Sequence, residues 1–446
     1  MIQRLPPEQV IVLLREGRVS EFLGRARLLE AADLADVLAL ADDDERVEIA
    51  KLLPPELTGE ALIEMPGAAH AEDTLAALSP EQAADIVQEM PDDDAADILG
   101  ELRPDQQQRI LSQVDFEERV TVERLLEYRE DTAGGLMTSA VVTVRQDETV
   151  RDALDSIRRQ AEAIEDFSET YVLDEHGRLT GLLGFKRLVL GPPERAVREL
   201  MDEPGVTVGP ELDQEEVARL MARYNVPCIP VVDKGGRLLG QITFDDVTDV
   251  VTEEATEDLL RFGGVSAEED LGARWFEAVK TRLPWLFVNL LTAFVAAAVV
   301  ALFTNVVRAL PALAAWMTII SGMGGNAGTQ TLAVTVRRLA LGLIAPSAFV
   351  GVVGKEVMVG LACGVANGIV VALAALLFHQ PPMLGVVVCL AMVGNLFVAG
   401  FAGAFIPLVL ERFKIDPAIA SSVFVTTFTD VCGFALLLGL GGWLLL

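Results

Sequence analysis

Histidine, cysteine and positive charge are all in short supply in this chain of 446 residues. The three histidines, His70, His176 and His379, lie too far apart for a zinc site built on paired imidazoles. The four cysteines, Cys228, Cys363, Cys389 and Cys432, fall at unrelated spacings, which excludes a disulfide framework or a metal knuckle and leaves buried thiols. Lysine and arginine number 35 against 66 aspartates and glutamates. Such an excess of acid repels polyanions and attracts small cations, so nucleic acid is excluded as a partner and divalent ions are favoured. There is no phosphate loop and no nucleophile paired with a base, so nothing supports an enzyme. Met1 to Arg15 lack the basic start, apolar stretch and cleavage site of a signal peptide, and the polar half is expected to stay in the cytoplasm.

The charge is unevenly placed. From Leu283 onward there are four acidic and six basic side chains, which leaves 62 of the 66 acids and 29 of the 35 bases in the preceding part. The later part reads as five membrane crossings, about Leu283 to Thr304, Ala312 to Thr335, Val353 to Phe378, Met383 to Leu410 and Ala418 to Leu446. An interior amino terminus puts Lys280, Arg282, Arg337, Arg338, Lys355, Arg412 and Lys414 inside and Arg308 outside, with the carboxyl terminus external. Leu339 to Val352 is apolar enough to be an in-plane segment.

Asp430 stands in the middle of the last apolar run, where a carboxylate is expensive unless a cation, a partner or a wet path accompanies it. Thr426, Thr427 and Thr429 add hydroxyls beside it, and no basic residue lies deep in any of the runs, so a cation pathway is expected here. The second crossing carries Ser321-Gly-Met-Gly-Gly-Asn-Ala-Gly-Thr-Gln330, poor helix material, and Gly325 and Asn326 are expected at a pore-lining break with free carbonyls. Asp416 precedes Asp430 by 14 residues, a rise of about 21 Å on one helix face, and with Pro417 it also suits a helix start. Glu356 beside Lys355 reads as an interfacial ion pair.

The polar part has two repeats. Up to about Arg129 the sequence predicts short amphipathic helices punctuated by Pro54, Pro80, Pro91 and Pro104, and Ala83-Ala84-Asp85-Ile86 recurs as Ala95-Ala96-Asp97-Ile98, as in a helical superhelix. After Glu130 to Gly135, Leu136-Met137-Thr138 with Val142-Thr143-Val144 is repeated by Leu200-Met201-Asp202 with Val206-Thr207-Val208. Val172-Leu173-Asp174 with Gly177-Arg178-Leu179 and Gly181 is likewise repeated by Val231-Val232-Asp233 with Gly236-Arg237-Leu238 and Gly240. This duplication resembles a tandem CBS module, which implies ligand sensing by an α/β fold. Gly240-x-x-Thr243-x-x-Asp246 also resembles the ribose-binding signature of nucleotide-sensing CBS modules, so ATP is carried as a candidate regulatory ligand, with Thr243 and Asp246 as its contacts. Phe244 to Phe262 has helical periodicity and ends at the hinge Gly263-Gly264.

The expected organisation is a helical acidic domain over residues 1–130, CBS units over 131–200 and 201–249, a connecting helix and linker over 244–275, and a five-helix transmembrane domain over 276–446. Gly134-Gly-Leu-Met-Thr138, Asp213 to Met221, Glu254-Ala-Thr-Glu-Asp258, Gly324-Gly-Asn326, Asp416-Pro-Ala418 and Thr429-Asp-Val431 with Gly433 together resemble the MgtE family of magnesium channels. The resemblance implies a homodimer in the lipid bilayer of the cell (inner) membrane, with one pore lined by the second and fifth crossings and Asp430 holding hydrated Mg2+. It further implies pore positions at Thr426, Gly325 and Asn326, and regulatory Mg2+ on Asp213, Glu215, Asp246, Asp249, Glu254, Glu257, Asp258 and Asp416, with Glu81 and Asp85 as further candidates. The chain departs from the family pattern at Asn225, Thr329 and Ser422-Val423. The competing reading is an ion-coupled secondary transporter of another divalent cation such as Co2+ or Mn2+, with Asp430 carrying a proton or Na+ and the broken second helix forming its site.

Overall fold

A computed structural model describes residues 6–65, 70–161, 169–266, 275–344, 348–417 and 422–446. Two compact units divide the chain, Met1–Thr252 and Glu253–Leu446.

The first unit opens with ten helices of seven to ten residues, too short to persist alone: α1 Pro7–Arg15, α2 Val19–Ala26, α3 Ala31–Ala39, α4 Asp43–Leu52, α5 Pro55–Ile63, α6 Ala71–Ala77, α7 Pro80–Val87, α8 Asp92–Gly100, α9 Pro104–Leu111 and α10 Phe116–Leu125. Proline sits in the first turn of α1, α5, α7 and α9, where its missing N–H costs nothing. Capping boxes start α4 (Asp42 with Glu45) and α7 (Ser79 with Gln82). Packing supplies the rest. From α3 to α10 each helix lies against the one two ahead of it, so the chain winds into a two-layered superhelix. The repeated Ala-Ala-Asp-Ile segment provides that contact: Ala83, Ala84, Ile86, Ala95 and Ala96 are buried.

The duplicated α/β part follows. In the first copy β1 Thr143–Arg145 pairs in parallel with β2 Glu169–Leu173, which pairs antiparallel with β3 Leu179–Gly184, and α11 Val150–Gln160 and α12 Phe185–Leu190 accompany them. The second copy has α13 Gln214–Tyr224, β4 Cys228–Val232, β5 Leu238–Thr243 and the long α14 Phe244–Phe262. Its counterpart of β1 is reduced to one parallel bridge, Val208 to Val231. Register shifts fall at Val172/Leu173 and Val231/Val232, the same place in both copies. The hairpin turns match as well: Asp174 and Asp233 accept backbone N–H groups through Oδ1, and Gly177 and Gly236 take φ of +75° and +79°.

The two copies complete each other. Thr138, leading the first copy, bridges to Gln241 on β5, and Asp202, leading the second, bridges to Leu182 on β3. Gly181 and Gly240 stand where these leading segments cross the strands. A Cβ on Gly181 would lie 2.7 Å from the Asp202 carbonyl oxygen, and one on Gly240 would collide with that of Thr138. The buried Tyr171 hydroxyl donates to Gln241 Oε1 at 2.8 Å, a further tie between the copies.

The second unit holds α15 Trp275–Leu302, α16 Thr304–Ala309, α17 Leu313–Ala340, α18 Phe349–Leu377, α19 Pro382–Arg412 and α20 Ser422–Leu444. Among the described residues four helices, α15, α18, α19 and α20, are long and apolar enough to cross a membrane. α17 matches them in length, 28 residues, with the glycine-rich run lowering its apolarity. α19 is the most enclosed, packed by α17, α18 and α20, whereas α15 touches mainly α20 and is otherwise exposed. Gly360, Gly364 and Gly368 put one face of α18 directly on the α19 backbone, as small residues do between membrane helices.

One expectation is corrected. The run Ser321–Gln330 is continuous α-helix within α17, with no break and no freed segment of backbone. Its glycines serve close packing instead: a Cβ on Gly328 would lie 2.5 Å from Val425 Cγ1, and one on Gly325 3.3 Å from Thr426 Cγ2. Asn326 and Gln330 are exposed in this chain, so they need no buried partners. Of Leu339 to Val352, expected as an in-plane segment, Leu339 and Ala340 end α17 and Phe349 to Val352 begin α18, while 345–347 lie outside the described residues. The 14-residue spacing from Asp416 to Asp430 spans 418–421, also outside the described residues.

The crossing of the copies gives a direct test. Gly240→Val should destabilise the protein by about 1–3 kcal/mol through overpacking against Thr138, whereas Gly184→Ala, with open space around it and an ordinary φ of −61°, should change stability little. Thermal unfolding of both variants checks the contrast.

Candidate cation pathway and regulatory acids

Asp430 lies on α20 with its carboxylate accepting a hydrogen bond from the Ser321 hydroxyl of α17 at 2.6 Å. Among the described residues no salt bridge involves it. The contact exists because glycine at 324, 325 and 328 lets α17 and α20 approach: a Cβ at 324 would lie 3.2 Å from Thr429 Cβ. Of the neighbouring threonines, Thr427 and Thr429 direct their hydroxyls to helix carbonyls, of Val423 at 2.7 Å and Thr426 at 2.8 Å. Thr426 faces Gly325, so the structure brings together Asp430, Thr426 and Gly325 on the α17–α20 seam and leaves Asn326 exposed at its side. Ser321 is the residue that sequence reasoning passed over. Its signal was its place, nine residues before Gln330 at the head of the glycine run.

The regulatory candidates separate by unit. In the first, Asp246 closes the start of α14, accepting from Thr243 N–H at 3.2 Å and Thr243 Oγ1–H at 2.6 Å. Burial raises its pKa, with Asp245 and Asp249 adding like charge. Facing it are acids of α8 that sequence reasoning did not select. Burial first, then the charge of Asp246, pushes Asp94 up to about 7, and burial with Glu130 and Asp94 pushes Asp97 up to about 8. Asp93 is 7% exposed, its Oδ1 has no hydrogen-bond partner, and burial with Asp94, Asp246 and Asp92 nearby holds its pKa well above the usual range. The neighbouring Asp92 is instead satisfied, gripping the Thr138 hydroxyl at 2.7 Å and the Ser139 N–H. Carboxylate oxygens, one of them buried and orphaned, are the hard donors that Mg2+ or Ca2+ takes, while the described side chains with ligand atoms within 4.8 Å of one another are His70, Glu72 and Asp73. Asp213 caps α13 through Glu215 N–H at 3.0 Å, and Glu81 and Asp85 lie exposed on α7.

In the second unit Arg261, at the end of α14, joins Glu257 to Asp416. Burial raises the pKa of both Glu257 and Asp258; Glu254 and Asp416 add to the rise and Arg261 offsets it. Lys355 Nζ lies 3.4 Å from the buried Glu356 carboxylate, as the sequence suggests.

Comparison with known proteins places these features. Residues 317–440 match the family described as a divalent cation transporter, MgtE; residues 29–131 match the MgtE intracellular N domain; and 133–190 and 197–253 match the CBS domain. The magnesium transporter MgtE of Bacillus subtilis is 32% identical over 97% of this chain and 96% of its own length. The crystal structure of the soluble part of a magnesium transporter covers 56% of this chain and 98% of that one, with 28% identity and a TM-score of 0.51. A crystal structure titled as the cytosolic domain of the Mg2+ channel MgtE in complex with ATP covers 56% of this chain and 91% of that one, with 37% identity and a TM-score of 0.39. Fold and matches define a multi-pass membrane protein for divalent cations, not an enzyme, with an intracellular amino-terminal domain followed by two CBS domains. The chain belongs to the MgtE family of magnesium transporters.

The raised carboxylates make a signed prediction. Their pKa values in the folded unit exceed the unfolded values, so the stability they contribute is complete at acid pH and is lost as pH rises through about 7 to 8. Without divalent ion, unfolding should therefore become easier between about pH 6 and pH 9. Millimolar Mg2+ should restore stability at the higher pH and release protons on binding. Melting curves at both pH values, with and without Mg2+, together with calorimetry in buffers of different ionisation enthalpy, check both statements.

Proposed function

We propose that this protein imports Mg2+ across the cell (inner) membrane through a pore formed by a homodimer, and that Mg2+ bound to its acidic cytosolic domains closes that pore. The carboxyl terminus lies on the external side in this reading. The observation that carries it is Asp430, a carboxylate on an apolar helix whose partner is the neutral Ser321 hydroxyl and not a cation. Two such carboxylates across a dimer axis repel each other until a divalent ion lies between them. Mg2+ sheds water reluctantly, so carboxylate and hydroxyl oxygens meeting its hydration shell suit it better than a tight cage. Thr426 and Gly325 line the same seam, and Asn326 opens beside it.

Closure rests on the acids. Asp93, Asp94, Asp97, Asp246 and Asp249 repel one another within the first unit, and Mg2+ relieves that repulsion only when they are together. A ligand that binds one arrangement better shifts the population toward it. The remaining regulatory acids are Asp213, Glu215, Glu81 and Asp85 in the first unit and Glu254, Glu257, Asp258 and Asp416 in the second, where the Arg261 bridge already neutralises part of Asp416. ATP is a second regulatory ligand in this reading, with Thr243 and Asp246, paired at the head of α14, offering their oxygens to a ribose. The carrier reading drew on a broken second helix, and α17 is continuous.

Asp430→Ala, purified and reconstituted in vesicles, should lose Mg2+ uptake by about two orders of magnitude or more, while eluting and melting as the parent does. Parental uptake in a folded variant would remove the pore assignment. Protease protection of the cytosolic part should increase with millimolar Mg2+, and digestion indifferent to the ion would remove the switch.

A further inference from the structure

Asn395 is the one side chain amide fully enclosed among the described residues of the helical bundle, with 0% exposure. It projects from the middle of α19, the central helix, into the angle between α17 and α20. Its Nδ2–H donates to the Ile320 carbonyl of α17 at 2.9 Å. Its Oδ1 is buried and accepts nothing. Glycine flanks it on both sides: a Cβ on Gly433 of α20 would stand 2.8 Å from Nδ2 and 3.0 Å from Oδ1, and one on Gly324 of α17 would collide with Nδ2.

This placement bears on Asp430. Ile320, whose carbonyl Asn395 holds, directly precedes Ser321, whose hydroxyl holds Asp430. Gly433, which Asn395 touches, lies three residues, nearly one turn, beyond Asp430 on α20. One amide therefore fixes both partners of the Ser321–Asp430 contact from behind. Packing alone does not account for it, because an apolar side chain of similar size would fill the same space and leave no orphaned oxygen. Replacing a half-satisfied buried polar group by such a side chain is neutral or stabilising. The Ile320 carbonyl also keeps its acceptor role within α17 when the amide is removed.

We infer that Asn395 is a positioning residue for the ion path, holding α17 and α20 in the register that sets Ser321 against Asp430. This rests on the reading of Asp430 as the ion-contacting carboxylate. It acts through Ser321 and the α20 backbone and does not touch the ion.

The test uses the full-length protein in vesicles, with initial Mg2+ uptake measured against Mg2+ concentration, and thermal melting in detergent measured alongside. Asn395→Leu should raise the half-saturating Mg2+ concentration roughly tenfold through loss of preorganisation, with an unchanged or higher melting temperature. Ser321→Ala should have a similar effect, and the double variant should be no worse than either single one, because the two residues act on one contact. Parental half-saturation in a folded Asn395→Leu protein would overturn the inference. So would a loss of uptake that follows a loss of thermal stability, or effects of the two substitutions that multiply. If the leucine variant does not assemble, Asn395→Ser carries the same comparison, since its hydroxyl is too short to reach the Ile320 carbonyl. Asp430→Ala separates the two claims: uptake retained there removes the ion-path reading, whereas uptake lost there but parental in Asn395→Leu removes the positioning role alone.

Discussion

Uncompensated negative charge is the constraint on which the rest of this structure depends. A carboxylate in an apolar helix is costly, and carboxylates crowded together outside the membrane repel. The chain carries both. Asp430 on α20 has a serine hydroxyl for company, and Asp93, Asp94 and Asp97 on α8 face Asp246 with burial raising all four pKa values. Protons or divalent cations can relieve either arrangement. One physical problem is thus posed twice, once on an apolar helix and once in the acidic amino-terminal unit.

The scaffold that permits this is a matter of missing side chains. In the α/β pair, Gly181 and Gly240 let each copy's leading segment cross the other's sheet, which ties the two copies together. In the helical bundle, Gly324, Gly325 and Gly328 let α17 approach α20 closely enough for Ser321 to reach Asp430, and Gly360, Gly364 and Gly368 bind α18 to α19. Close backbone approach substitutes in the bilayer for the hydrophobic drive that holds the amino-terminal superhelix together.

Repeats and long apolar runs carried most of the fold into the sequence. The duplicated Asp-x-x-Gly turns, the paired Leu-Met segments and the Ala-Ala-Asp-Ile repeat each mark a unit whose partner is visible in the chain itself. Asp430 was legible because hydropathy makes a lone acid conspicuous. The glycine run was misread as a break, since composition alone does not distinguish a helix distorted by glycine from one packed through it. Glu81 and Asp85 came from the family resemblance, and Asp93, Asp94 and Asp97 stand out only in the fold, which buries them on α8 beside the charge of Asp246. Asn395 carried no signal at all, as a single amide in an apolar helix acquires meaning from the carbonyl it reaches.

Passage of Mg2+ beside the carboxylate at 430 is the central claim, and electrical recording addresses it most directly. With the protein in a planar bilayer and Mg2+ as the permeant cation, the account predicts a current driven by voltage alone, which falls as Mg2+ rises to millimolar levels on the side of the acidic domains. Mg2+ movement that produces no current without a second ion gradient, or a current indifferent to Mg2+ on that side, would contradict it.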